Sequence, residues 1–144
     1  MILLIMMVIT GCLAASYTRA NPDTLIREPF MIKTAAHGEV LWALHQSYHH
    51  TQLQYKGSCM EAYYRDPEHL AGFGKKLSAI DLPAAIVKKI NRRFQQCNIT
   101  SVMLFIDAKG RIWYYAGVLH ANELIGVKIS TGCRMNILQK ITLN

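Results

Sequence analysis

The sequence predicts an α+β domain, with N-terminal helices packed on one face of a four-stranded antiparallel meander. Three observations point there. Apolar residues recur at helical spacing in two stretches of the first two thirds. After Cys97 the period changes from 3.6 to 2 and stays there to the end of the chain. Helices first and strands second is the α+β order, in which helices cover one sheet face. With 144 residues, 51% hydrophobic and 17% charged, the chain has the composition of one globular domain and is too short for a two-domain enzyme.

Residues Ile2 to Ala15 form an almost unbroken apolar run, and the first charged side chain is Arg19. A spanning helix needs about 20 such residues, so residues 1–20 read as a signal peptide or lipid-anchor segment. Within it, Ile9-Thr10-Gly11-Cys12 resembles the lipobox of bacterial lipoproteins. The resemblance implies that Cys12 is lipidated and becomes the mature N-terminus, and that Leu13 after it directs the protein to the outer membrane. The chain departs from an export signal in carrying no positive residue ahead of the apolar run. Cleavage near Ala14, Ala15 or Ala20, which would release a secreted protein, remains open, as do an uncleaved anchor and a buried N-terminal element. The stretch from Gly11 to Ala15 also resembles the apolar stem of type IV pilins, without that family's glutamate.

Residues 21–33 contain Pro22 and Pro29 with no period, and read as a tether to a single domain over 34–144. Thr34 suits a helix N-cap, and Leu41, Leu44, Tyr48 and Tyr55 place a helix over 35–55, ended by Lys56-Gly57. Cys59 to Tyr64 reads as a second helical turn closed before Pro67, while 67–80 has no clear period. Asp81 and Pro83 open the next helix, whose apolar stripe is Ile86, Val87, Ile90 and Phe94. Val102–Asp107 and Arg111–Ala116 flank Ala108-Lys109-Gly110, where glycine suits the left-handed position of a hairpin. Two further alternating runs, Ile125 to Ile129 and Met135 to Leu143, complete the meander, with Gln139 interrupting the apolar face of the last.

Sixteen basic residues against nine acidic ones give a net charge of +7 with neutral histidines, which favours an anionic partner. Lys88, Lys89, Arg92 and Arg93 concentrate that charge beside the apolar stripe of one helix. Such a row suits lipid headgroups, lipopolysaccharide or an acidic protein, with nucleic acid the less favoured partner; it also suits a plain solvated helix end. Trp113 and Tyr115 alternate onto one strand face, as contact anchors or as core. His45 and His49 are weak candidate metal ligands at i and i+4, but a zinc-protease helix needs a glutamate where Gln46 stands. Asp66, Glu68 and His69 form a loop cluster of acid and base groups. No nucleophile elbow, phosphate-cradling glycine loop or Cys-x-x-Cys occurs, and no cofactor is called for.

Three cysteines remain once Cys12 is lipidated or removed. In a meander, Cys97 and Cys133 fall at opposite ends of strands about 20 Å long, so an oxidising compartment favours Cys59 paired with Cys97. The expectation is therefore an export-directed binding or assembly-accessory protein of the bacterial envelope, periplasmic or outer-membrane anchored, of the kind that serves secretion systems or pili. Its rivals are an envelope hydrolase or metal enzyme using the His45/His49 cluster, and a secreted enzyme inhibitor.

Overall fold

The computed structural model describes residues 29–34, 40–44 and 48–143. In chain order it contains β1 (Phe30–Thr34), β2 (Val40–Leu44), β3 (His49–Tyr55), β4 (Ser58–Asp66), β5 (His69–Leu77), a 3-10 turn (Ala79–Asp81), α1 (Ala84–Arg93), β6 (Asn98–Asp107), β7 (Ile112–His120), β8 (Glu123–Ser130) and β9 (Met135–Thr142). β3 to β9 form one seven-stranded antiparallel sheet in sequence order, and β1 and β2 pair as a separate hairpin. This corrects the expected architecture. Among the described residues a single α-helix sits on a sheet of seven strands, in place of several N-terminal helices on a sheet of four.

The segment expected to be helical over 35–55 supplies β2 and β3, and Cys59 to Tyr64 lies within β4. The ambiguity is local. Thr51, Leu53 and Tyr55 alternate with polar residues as readily as Leu41, Leu44, Tyr48 and Tyr55 fit a helix. Lys56-Gly57, read as a helix end, is a two-residue hairpin loop closed by the Tyr55 and Ser58 pair. Lys56 has φ 49° and Gly57 φ 75°, the left-handed pair such hairpins require. A helix C-terminus and a tight hairpin both select glycine at positive φ, so that dipeptide alone does not separate them.

The second half follows the sequence pattern closely. Gly110 has φ 77° and donates its N–H to Asp107 O at 2.8 Å, closing the β6–β7 hairpin. α1 occupies most of the predicted second helix, but its opening differs. Asp81 accepts the Ser78 N–H at 3.2 Å and braces the 3-10 turn, while Pro83 takes the N-cap position.

Both faces of the sheet are covered. On one, Leu82, Ile86, Ile90 and Phe94 pack on Val102, Ala116, Val118, Ile125, Val127 and Ile129. Ile86 and Ile90 are fully buried, worth about 1.5–3 kcal/mol each by apolar transfer. On the other, Phe30 stands edge-on to Tyr63, Phe105 and Tyr115 at ring-centroid distances of 4.7, 5.3 and 5.0 Å. β1 thus takes up the end of the stretch 21–33 expected to be a tether, and ends on Thr34, expected to cap a helix. Its place is fixed by Phe30, by Ile32 over Gly126, and by the Ile32 N–H, which donates to Gln139 Oε1 at 3.1 Å. Gln139, the polar break in the apolar pattern of β9, therefore serves the backbone of β1. The core strands β7 and β8 are buried on both faces through their central stretches.

Candidate functional site

α1 is amphipathic, with Ile86 and Ile90 inward and Lys88, Lys89, Arg92 and Arg93 all exposed. None of the four makes an ion pair among the described residues. At about 100° per residue, Lys88 and Arg92 form one i,i+4 row and Lys89 and Arg93 a second, turned by about one residue step. The structure distinguishes the two rows.

Lys88 and Arg92 line an open groove of about 830 Å³ between α1, the 3-10 turn and the start of β6. Its apolar wall includes Ile80, Val87 and Ile99, with the Cys97 thiol beside them. Ile80 is 89% exposed, an unusual cost for a large aliphatic side chain. The groove volume lies within the range of small-molecule and peptide sites. Lys89 and Arg93 do not line it.

The aromatic candidates separate. Tyr115 is 1% exposed and belongs to the aromatic cluster under β1, so it is core and not a surface contact. Trp113 is half-buried, its indole N–H donates to Asp107 Oδ2 at 3.3 Å, and Lys128 Nζ lies 4.4 Å from its ring centroid. Arg111 approaches the same ring at 5.6 Å. Asp107 also accepts the Lys109 and Arg111 backbone N–H groups, each at 2.9 Å, and the Arg111 Nε–H at 2.7 Å. Burial pushes the Asp107 carboxyl up, but the Arg111 backbone N–H, the guanidinium and the Trp113 indole together hold it below the usual carboxylate range. These contacts make Asp107 the organiser of the hairpin.

Cys12 and His45 lie outside the described residues. His49 is exposed on β3, and among the described residues no three of His, Cys, Asp and Glu gather as a metal site. In the β4–β5 turn, the Asp66 carboxylate meets His69 Nδ1 at 2.6 Å and accepts the Glu68 N–H at 3.1 Å. The His69 hydrogen bond lowers the Asp66 carboxyl from its ordinary value. Asp66 thus shapes the turn in which the loop cluster sits.

Cys59, Cys97 and Cys133 are all free thiols, so the expected Cys59–Cys97 bridge is not formed. Cys59 lies on β4, two strands from β6, while Cys97 precedes β6. Pairing places Cys59 near the level of Met103, so Cys97 is about six residues, or about 20 Å, further along. A disulfide bridges α-carbons about 5.5 Å apart.

Sequence reasoning missed the groove's other walls. Ile80 and Asn98 are separated along the chain and converge only through the crossover that carries α1; the exposed isoleucine beside Asp81 is the one local signal. No family model matches the chain, and no curated protein or solved structure is significantly similar to it. Among the described residues no helix is long and apolar enough to cross a membrane.

Proposed function

We propose that the protein is a small binding or assembly-accessory component of the bacterial envelope, held at the membrane through Cys12, that engages an anionic partner with α1. The observation that carries this reading is the exposed row of Lys88, Lys89, Arg92 and Arg93 on a helix whose apolar side is fixed to the sheet, with no ion pair to a carboxylate among the described residues. A helix held this way presents its charges without loss of order on binding, which favours a persistent docking surface. The location rests on the apolar N-terminal run and its lipobox-like end. Two lipid chains, as that class carries, anchor stably where one does not.

Binding of the full chain to anionic and to zwitterionic vesicles tests the reading, because the anchor contributes equally to both and the difference reports the basic helix. Each basic residue near an anionic surface contributes about 1 kcal/mol. Lys89→Glu with Arg93→Glu should therefore lower the anionic preference by at least about thirtyfold. An equal preference in parent and variant contradicts it.

A further inference from the structure

Among the described residues, the crossover that carries α1 leaves part of a strand uncovered. β5 pairs with β6 only as far as Leu77 opposite Val102, and the chain then departs into the 3-10 turn. Asn98, Ile99 and Ser101 of β6 pair with β7 on one side, with a register shift at Thr100, and among the described residues no strand pairs with 98–101 on the other. An uncovered strand edge offers backbone N–H and C=O groups at the spacing of an added strand. The Asn98–Ile99 end of this edge lines the groove, together with Lys88 and Arg92 of α1.

We propose that the groove binds an extended acidic peptide segment of a partner protein, which adds as a short strand to residues 98–101 of β6. This rests on the reading of α1 as the partner surface and names the partner's chemistry. Four residues of added strand span about 13 Å. Every second side chain of such a segment faces α1, so an apolar residue there meets Ile80, Val87 and Ile99 while carboxylates two positions away reach Lys88 and Arg92. The backbone edge decides between occupants that share the charge. A lipid headgroup satisfies the two cations but leaves the strand's hydrogen-bonding groups unused, whereas a peptide satisfies both.

Selection of a random seven-residue peptide display library on the full chain tests the proposal. Enriched peptides should carry Asp or Glu two positions from an aliphatic residue, and should slow alkylation of Cys97 by N-ethylmaleimide while leaving Cys59, exposed on β4, at its usual rate. Affinity should fall at least about tenfold with Lys88→Glu and Arg92→Glu, and stay within about twofold with Lys89→Glu and Arg93→Glu. N-methylation at alternate peptide positions should abolish binding, since it removes strand donors and keeps the charges. The proposal is overturned if no acidic peptide is enriched, if the N-methylated peptide binds as well, or if the groove pair is immaterial. Protection of Cys97 by anionic vesicles but by no peptide would assign the groove to lipid. Failure of the reading of α1 as an anion-binding surface is separable: it would appear as equal vesicle preference in parent and Lys89/Arg93 variant, whatever the peptides do.

Discussion

Replacing Asp107 by alanine removes one carboxylate that receives four N–H groups: those of the Lys109 and Arg111 backbone, the Arg111 side chain and the Trp113 indole. The Asp107 side chain is 14% exposed while that of Arg111 is 57% exposed, so the ion pair itself is screened and contributes at most about 1 kcal/mol. The two backbone bonds and the indole bond add about 0.5–1 kcal/mol each after allowing for water at the loop. The total is about 2–3 kcal/mol, or roughly 8–12 °C in melting temperature for a chain of this size. Because the folded carboxyl titrates below its unfolded value near 3.9, its stabilisation is present in full above that pH and fades as pH falls through the folded pKa. Thermal unfolding followed by circular dichroism should thus show a gap between parent and Asp107→Ala that is constant near neutrality and narrows below about pH 4. A gap under about 3 °C at neutral pH, or one that widens on acidification, refutes the assignment of Asp107 as the hairpin's organiser.

Two further substitutions probe the sheet. Gly72→Ala places a Cβ 2.2 Å from Ile106 O at a residue with φ 156°, and should cost more than about 3 kcal/mol, read as a loss of urea midpoint. Gln139→Leu removes the acceptor of the Ile32 N–H and should cost about 1–2 kcal/mol, with faster hydrogen exchange at the Ile32 amide than in the parent; unchanged exchange would detach Gln139 from β1.

The sequence carried the second half of the fold and concealed the first, for identifiable reasons. α1 is legible because Ile86 and Ile90 face one surface while exposed charges cover the rest, so the period is unmixed. β6 to β9 are legible through their turns, Gly110 above all, even though β7 and β8 are buried on both faces and lose the simple alternation of a half-buried strand. β3 is an edge strand with six of its seven residues exposed, and its alternating pattern is too polar to override a helical reading. β1 is short and follows Pro29, and its apolar residues gain meaning only from Tyr63, Phe105 and Tyr115, far along the chain. The basic residues of α1 are visible in the sequence because they fall as two adjacent pairs, Lys88-Lys89 and Arg92-Arg93, one helical turn apart. Their division into a groove row and an outer row was not, because Ile80 and Ile99 that define the groove come from either side of the helix.

The central claim is that the charge on α1 is a binding surface and not merely a solvated helix end. It is tested most directly by the salt dependence of binding of the full chain to soluble inorganic polyphosphate. Neutralising phosphates with Lys88, Lys89, Arg92 and Arg93 releases counterions, so the logarithm of affinity should fall linearly with the logarithm of salt, with a slope of about −3 to −4 if all four engage. Lys89→Glu with Arg93→Glu should reduce that slope by about 2. A parent slope near zero, or the same slope in the parent and in a variant with Lys88, Lys89, Arg92 and Arg93 all changed to Glu, would show that the basic helix is not a binding surface for anions.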